Sequence, residues 1–224
     1  MVHWLERKNI LSSNKVVIID YNMGNLRSVQ KAFEKVGCHA VISNDLTIIK
    51  NADKIVLPGV GSFKDGMNNL EGLGLISILN EEVVEKKKPF LGICLGMQLL
   101  SRKSYENGET NGLGWIDAEV MKFDFTGLDK KLKIPHVGWN NTNYSKKNKL
   151  FENIPNNSNF YFVHSYHFYT QEDVITSTTD YGFDFVSSVN KDNIYAFQFH
   201  PEKSQTAGLK LIENFVHLRK DVQC

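Results

Sequence analysis

The segment that most constrains the fold is a cysteine between two glycines at the end of an apolar run. Pro89–Ile93 has the composition of a buried strand, and Gly92-Ile93-Cys94-Leu95-Gly96 leads from it into a predicted helix, Leu95–Arg102. A sharp strand-to-helix turn around a nucleophilic side chain is the nucleophile elbow of α/β enzymes, here with cysteine in place of serine. The glycines leave room for the turn, and the amino end of the helix favours the thiolate of Cys94. The alternative is a buried structural cysteine that packs as a small apolar side chain.

Around this elbow, predicted strands and helices alternate. Lys15–Asp20 and Lys54–Leu57 are apolar runs typical of parallel strands buried on both faces, and the second is broken by Pro58-Gly59. His39–Ser43 is predicted as a further strand. Helices are predicted from an apolar stripe between Leu26 and Val36 that ends at Gly37, and over Leu73–Glu85. This alternation predicts a doubly wound α/β fold with a mostly parallel sheet.

The pattern changes after Gly114, where segments rich in β-branched and aromatic residues follow one another without long helices. We expect them to form an antiparallel extension at one edge of the sheet, before an amphipathic helix at Leu209–Arg219. No linker or repeat divides the chain, so residues 15–224 are predicted to be one domain after an extension at residues 1–14. The predicted strands of the extension are Glu119–Phe125, Phe160–Tyr169, Ile175–Thr179 and Tyr195–Phe199.

Composition excludes several kinds of partner. The 224 residues carry a net charge of +1, which gives no overall field to attract nucleic acid or an anionic membrane. The apolar runs, of about six residues, are far shorter than the roughly 20 needed to cross a bilayer. Three cysteines at wide spacing form no Cys/His cluster, so we expect no metal and no cofactor. These features predict a cytoplasmic protein in which Cys38 and Cys224 have no function.

A thiolate nucleophile needs an acid–base partner, and His200-Pro201-Glu202 offers one. The motif directly follows an apolar run, and alternate residues of an extended segment point the same way, so Glu202 is predicted to bond to the His200 ring. With Cys94 they form a Cys–His–Glu triad in the chain order of an elbow enzyme. By itself the motif could also be a surface histidine beside an acid.

Pro58-Gly59-Val60-Gly61 leaves the carboxyl end of a predicted strand. Substrate sites of doubly wound sheets lie at these ends, so the segment is expected to face Cys94. The backbone of Gly59, Val60 and Gly61, together with the Leu95 N–H, could form an oxyanion hole.

Taken together, these motifs resemble the class I glutamine amidotransferases, and within them the glutaminase subunits of imidazole glycerol phosphate synthase. The resemblance runs from about Lys15 to about Leu218. The elbow and His-Pro-Glu are typical of the whole class, whereas the other stretches are typical of the histidine-pathway branch. Asn22 departs from the pattern, which has glycine there. The matching stretches are DYNMGNLRS (20–28), LPGVG (57–61), GICLGMQL (92–99), PHVGWN (135–140), YFVHSY (161–166) and QFHPEKS (198–204).

The resemblance implies a function and a role for each matching residue. Cys94 would attack the side-chain amide of L-glutamine, His200 would carry the proton, and Glu202 would orient the imidazole. Gly59–Gly61 would lie over the reacting amide. The amino-acid end of glutamine would be held by Gln98, Ser165 and Tyr166.

The resemblance also implies a partner. Ammonia would pass to a (β/α)₈ cyclase subunit, which makes imidazole glycerol phosphate and AICAR in histidine biosynthesis, so that the two subunits form a heterodimer. Binding of the partner would switch on hydrolysis through the flexible loop 58–61. The residues implied to form the docking face are Asn22, Asn25, Trp139, Tyr161 and Lys203.

Three other functions are compatible with parts of the pattern. A paralogue could supply ammonia to a sugar-amination synthase, because the glutaminase half would be the same. A cysteine peptidase-like hydrolase could use the same elbow, although Gln98 and His164-Ser165-Tyr166 suit a free amino acid better than a peptide. A catalytically inactive binding subunit would need a broken triad, and the triad residues are all present.

Two further predictions concern histidines outside the triad. His164 and His167 would point to opposite faces of one predicted strand, which argues against a zinc pair. His136 is expected to hydrogen-bond a buried backbone group.

Overall fold

One mixed sheet of thirteen strands runs through the computed structural model, which describes residues 15–127, 132–144 and 148–218. The strands are β1 (Val16–Ile19), β2 (Ala40–Ser43), β3 (Lys54–Gly59), β4 (Phe90–Cys94), β5 (Lys103–Ser104), β6 (Thr110–Asn111), β7 (Ala118–Lys122), β8 (His136–Tyr144), β9 (Ser158–His164), β10 (Tyr166–Thr170), β11 (Ile175–Asp180), β12 (Asp184–Lys191) and β13 (Ile194–Phe197).

The strand order confirms the predicted fold class. Parallel strands come first, in the order β2-β1-β3-β4-β13, and the sheet continues through β12, β10, β7, β5 and β6. Strand β12 runs antiparallel to β13, and β10 runs antiparallel to both β12 and β7. A branch of three antiparallel strands, β11, β8 and β9, extends from β12.

Helices cover both faces of the parallel part. They are α1 (Leu26–Lys35), α2 (Leu46–Lys50), α3 (Phe63–Gly72), α4 (Leu75–Leu79, continued by a π-helical turn at Asn80–Glu85), α5 (Leu95–Gln98) and α6 (Gln205–His217). Successive residues of β1 contribute to two different cores: Val16 and Ile18 pack on the side of α1 and α6, whereas Val17 and Ile19 pack on the side of α4. This alternation is the reason that the strand is apolar throughout. No helix within the described ranges is long and apolar enough to cross a membrane.

The region around Pro58 differs from the prediction. Strand β3 continues through Pro58 and Gly59, which lie opposite Ile93 and Cys94 of β4. The proline is tolerated because pairing with β1 ends at Val56, so its missing N–H is not needed on that side. Helices α2 and α3 were not predicted.

The helix after the elbow is shorter than the predicted Leu95–Arg102. It ends at Gln98, because the carbonyls of Leu99 and Ser101 accept hydrogen bonds from Leu113 and Gly114 instead of continuing the helix. A single turn contributes only a small dipole, so the position of Cys94 depends more on the turn than on the helix.

Two strand predictions in the antiparallel part were wrong. Phe160–Tyr169 is not one strand: the chain breaks at Ser165, so that β9 pairs with β8 while β10 pairs with β7 and β12. Strand β13 was predicted among the antiparallel strands at the sheet edge; it does run antiparallel to β12, but the hairpin from β12 returns it to the centre of the sheet, where it lies parallel to β4. The predicted extension at residues 1–14 and Cys224 lie outside the described residues.

Candidate active site

Cys94 occupies the strand-to-helix turn in a backbone conformation that few residues adopt. Its φ of 54° and ψ of −107° place it between β4 and α5. A side chain at Gly96 would overlap the carbonyl oxygen of Leu57, and a Cβ at Gly92 would come within 2.8 Å of the Gly96 oxygen. Both glycines are therefore required by close backbone approach, as the elbow motif predicts.

His200 and Glu202 reach the same edge of the sheet as Cys94. Phe197 lies opposite Ile93 in the parallel pair β13–β4, so the chain leaving each strand emerges side by side. His200 Nδ1 lies 2.8 Å from Glu202 Oε1, and both side chains are buried. The segment between them is a 3₁₀ turn at Pro201–Lys203, not the extended chain that was predicted, so the bond forms across a turn.

Hydrogen bonds fix the His200 backbone. Its N–H donates to the Tyr161 carbonyl at 2.9 Å, and its carbonyl accepts from the Ser204 hydroxyl at 2.6 Å. The Ser204 hydroxyl also accepts from Tyr161 N–H at 3.0 Å. Strand β9 therefore holds the acid–base residue against the elbow.

The electrostatics of His200 favour the imidazolium. Burial by itself would lower the pKa of His200, but the negative charges of Cys94 and Glu202 outweigh burial and raise the pKa to about 10. Glu202 occupies Nδ1, so the buried Nε2 is the ring nitrogen left to face Cys94, whose hydrogen bond also raises the pKa of His200. A charged ring whose Nε2–H faces a sulfur nucleophile is suited to protonate a leaving group.

The segment 58–61, which is the end of β3 and the two residues after it, lies beside Cys94. Gly59 is the register partner of Cys94, and Val60 and Gly61 line the cavity above it. Gly61 has a φ of 120°, a conformation that side-chain-bearing residues rarely adopt. A Cβ at Gly61 would lie 2.7 Å from the terminal methyl of Met23, so the loop at residues 20–25 packs directly on this segment.

A cavity of about 440 Å³ opens over the sulfur. The three residues assigned to the amino-acid end of glutamine, Gln98, Ser165 and Tyr166, all contribute to its wall with Cys94. The size is sufficient for a free amino acid. The structure thus brings together, around one cavity, side chains from β4, α5 and the break between β9 and β10.

Two residues of the site were not predicted from the sequence. Glu106 also lines the cavity, and its Oε2 accepts the Phe63 N–H at 2.6 Å. No sequence motif surrounds Glu106, so no local pattern could have identified it. Gln198 donates to the Cys94 sulfur at 3.7 Å and accepts from Gln98 Nε2 at 3.1 Å. Its place in the QFHPEKS stretch was the available signal.

Of the residues assigned to docking, Lys203 is part of the cavity lining, and the others lie on segments that adjoin it. Trp139 is 47% exposed and its ring lies 6.0 Å from that of Tyr161, over which the Lys203 ammonium sits at 5.6 Å. Asn22 and Asn25 are exposed on the loop at residues 20–25. Asn22 has a φ of 61°, a left-handed conformation that asparagine tolerates better than most residues. Asparagine can therefore stand where the pattern has glycine and still adopt the left-handed backbone of this position.

The histidine predictions were wrong in detail. His136 bonds to the ring of His164, with 3.2 Å between Nδ1 and Nε2, and not to a backbone group. His164 and His167 are both buried and lie on different strands, because the chain breaks between them at Ser165. Nowhere in the described residues do three or more His, Cys, Asp or Glu side chains cluster as metal ligands would.

Sequence comparison identifies close relatives. The family model for glutamine amidotransferase class-I matches residues 17–218. Imidazole glycerol phosphate synthase subunit HisH 1 of Campylobacter jejuni strain RM1221 is 51% identical over 203 residues, which are 91% of this chain and 100% of the relative. Subunit HisH of Aquifex aeolicus is 53% identical over 90% of this chain and 95% of its own length.

Solved structures share the fold at much lower identity. A crystal structure described as a glutamine amidotransferase has a TM-score of 0.67 and 17% identity, covering 89% of this chain and 96% of the other. The structure of PurLQS from Thermotoga maritima has a TM-score of 0.67 and 16% identity, covering 90% and 97%.

Proposed function

Because this chain belongs to the class I glutamine amidotransferases, and within them to the HisH subunits of imidazole glycerol phosphate synthase, we propose that it hydrolyses L-glutamine through Cys94, His200 and Glu202. Membership in this family removes the alternative of a cysteine peptidase. The observation that carries the proposal is the shared edge of β4 and β13, where the sulfur and the His200–Glu202 pair face one cavity.

The reaction follows from the charges of the site. The Cys94 thiolate attacks the carbonyl carbon of the glutamine side chain, and backbone N–H groups of Gly59–Gly61 and Leu95 donate hydrogen bonds to the negative charge that develops on oxygen. The carbon–nitrogen bond breaks as His200 gives its Nε2 proton to the leaving nitrogen, which departs as ammonia. Water then attacks the Cys94 thioester with neutral His200 as base, releasing glutamate and restoring the thiolate.

The cavity wall suits the zwitterionic end of glutamine. Glu106 supplies the negative charge for the α-ammonium group, while Gln98 and the Ser165–Tyr166 segment supply polar contacts. Burial and the nearby Glu106 carboxylate raise the pKa of Tyr166, so this phenol stays neutral beside the substrate.

Docking of a (β/α)₈ cyclase over the cavity would retain the ammonia. It would also switch on hydrolysis by shifting the oxyanion segment Gly59–Gly61. Large apolar side chains are exposed in the cavity wall and on the segment around Pro135 of that wall, as expected of a surface that a partner covers; they are Val60 in the wall and Ile134, Val137 and Trp139 near Pro135 in the chain. The loop at residues 20–25 carries Asn22 and Asn25 and contacts Gly61 through Met23. A partner that presses on this loop can therefore shift the oxyanion segment, and about 4 kcal/mol would give roughly a thousand-fold activation.

A reducing, cytoplasmic setting is part of the proposal. Cys38 and Cys94 are free thiols, and catalysis by thiolate requires that Cys94 stay reduced.

The test is glutamate production at steady state by the chain alone and then with the histidine-pathway cyclase and its nucleotide substrate. We expect weak activity alone and an increase of about a thousand-fold in the complex. Full activity without a partner would refute gating, and activation only by a sugar-amination synthase would overturn the choice of partner.

Glu106→Gln should raise the KM for glutamine about ten- to a hundred-fold, whereas Glu109→Gln, which changes an exposed residue of the same loop, should leave KM unchanged.

A further inference from the structure

Behind the glutamine cavity, a chain of hydrogen bonds connects β8 to the substrate-binding segment. Asn140 Nδ2 lies 3.4 Å from His136 Nε2, and His136 Nδ1 lies 3.2 Å from His164 Nε2. His164 Nδ1 lies 2.8 Å from the carbonyl oxygen of Tyr166. No step of the proposed reaction uses these two histidines.

The direction of each bond follows from chemistry. A carbonyl only accepts, so His164 Nδ1 carries a proton and, in the neutral ring, Nε2 is an acceptor. His136 must then donate from Nδ1, which makes its own Nε2 an acceptor for the Asn140 amide N–H. When both rings are neutral Nδ1–H tautomers, each of the three hydrogen bonds joins one donor to one acceptor.

The surroundings keep both rings neutral. The Tyr181 ring stacks on His136 with centroids 3.9 Å apart, and Phe162 stacks at 5.0 Å. Burial lowers the pKa of His136 to about 4. Burial also lowers the pKa of His164 to about 3, and a charge on that ring would be opposed by His136, His167 and His200.

The Tyr166 carbonyl, at the end of this series of hydrogen bonds, accepts a second hydrogen bond within the active site. The Tyr166 carbonyl also accepts from Gln98 Nε2 at 3.0 Å, and Gln98 is bonded through Gln198 to the Cys94 sulfur. The position of this one carbonyl therefore affects the wall of the cavity and the amide that contacts the nucleophile.

We propose that the His136–His164 pair is a positioning unit that fixes the Tyr166 carbonyl, and through it Gln98, for glutamine binding. The proposal rests on the proposed glutaminase function. His136 lies outside the cavity lining and His164 is part of it, and in this role both act by holding the Tyr166 carbonyl rather than on the reacting atoms. Asn140 anchors the pair to the strand that carries Trp139, and it also donates to the Asp180 carbonyl at 2.8 Å.

The first test uses two substitutions at one position. His136→Phe keeps a ring that can stack on Tyr181 but removes the donor, whereas His136→Asn keeps an N–H donor at the place of Nδ1. In the complex with the cyclase, we expect His136→Phe to raise the KM for glutamine about tenfold, with kcat within about threefold of wild type. His136→Asn should restore KM to within about threefold. An unchanged KM in folded His136→Phe, or an equal increase in both variants, would overturn the proposal.

A spectroscopic test does not depend on activity. Nitrogen-15 NMR of the histidine rings at pH 7 should show His136 and His164 as neutral Nδ1–H tautomers. A protonated Nε2 on either ring would overturn the proposal. If His136→Phe fails to fold, Asn140→Ala replaces it, and should raise KM about two- to threefold and shift part of His136 to the Nε2–H tautomer; no change in either would contradict the proposal. Failure of the wild-type complex to hydrolyse glutamine would instead refute the proposed function, while the tautomers would still decide the bonding of the pair.

Discussion

Two pairs of buried side chains near Cys94 hold their protons in opposite ways. In the His200–Glu202 pair, the histidine faces a carboxylate and the cysteine sulfur, and its pKa is raised to about 10. In the His136–His164 pair, each histidine faces another ring among aromatic side chains, and the pKa values fall to about 4 and 3. Burial opposes the charge in both places, so the difference arises from the partner.

The comparison shows which histidine can transfer a proton to substrate and which can only hold neighbouring groups in place. A ring that is charged at neutral pH and whose Nε2–H faces the nucleophile can give up a proton during a reaction. A neutral ring with both nitrogens bonded has fixed hydrogen-bond directions, and it offers neither an acidic proton nor a free lone pair for proton transfer. Substitutions in and around the two pairs test this division.

The largest effect is expected from the reacting pair itself. Cys94→Ala and His200→Ala should each lower kcat for glutamine hydrolysis about 10⁴-fold or more, because triad members act as a unit. The complex should still turn over with added ammonia, since only the supply of ammonia is lost. Glutamate assays and ammonia-dependent assays check both statements.

Cys38→Ala is the control for the thiol. Cys38 is buried, and burial raises its pKa to about 11 in spite of nearby Lys54, so it should not react. A glutamine-analogue electrophile should label Cys94 alone. Labelling of Cys38 instead would contradict the assignment of Cys94 as the nucleophile. Full activity in His200→Ala would contradict the assignment of His200 as the residue that transfers the proton.

Glu202→Gln should have the next largest effect, because it removes the charge that distinguishes the two pairs. We expect kcat to fall about 10²- to 10⁴-fold and the pKa of His200 to fall, since one of the two anions that hold its proton is lost. NMR titration of the ring measures the shift. Glu213→Gln, on the surface of α6, is the matched control. An unchanged pKa would show that Glu202 does not hold the proton on His200.

Stability should depend on pH with opposite signs in the two regions. Below pH 6.5 the unfolded chain protonates His136 and His164 while the folded chain does not, so the free energy of unfolding should fall toward pH 4 by up to about 1.4 kcal/mol per pH unit for each histidine. The stabilisation from His200 is complete below pH 6.5 and is lost as pH rises through about 10.

Urea unfolding between pH 4.5 and 10.5 measures both windows. In His136→Asn the acid slope should be shallower by up to about 1.4 kcal/mol per pH unit, with the alkaline window unchanged. An identical acid slope in the variant would mean that His136 is not held neutral.

The smallest effect concerns a buried group with no partner. The Tyr21 hydroxyl is fully buried beside Gly59 and makes no hydrogen bond within the described part of the chain. Tyr21→Phe should therefore raise the free energy of unfolding by about 1 kcal/mol. Tyr144→Phe, which removes a hydroxyl that donates to the Ile154 carbonyl at 2.7 Å, should lower it by a similar amount. Denaturant unfolding of both variants measures these changes. A lower free energy of unfolding in Tyr21→Phe would contradict the absence of a hydrogen-bond partner for the Tyr21 hydroxyl.

The sequence by itself determined the features that depend on neighbours in the chain. The apolar runs identified the parallel strands β1, β3 and β4, because a strand buried on both faces must be apolar throughout. The elbow at Cys94 was predictable from its two glycines: Gly92 is required by close approach to Gly96 within the turn, whereas the need for Gly96 comes from the Leu57 carbonyl on the neighbouring strand. The bond between His200 and Glu202 was predictable because the two residues are close neighbours in the chain, although the turn that makes it was not.

The tertiary structure alone decided the features that join distant segments. Glu106 reaches the cavity by capping the Phe63 N–H 43 residues away, and His136 meets His164 across the β8–β9 pair 28 residues away. The parallel position of β13 depends on the register with β4, which no local pattern encodes. Protonation followed the same rule: each histidine has the same side chain and the same ordinary pKa, and its charge was set by the groups that the fold placed against it.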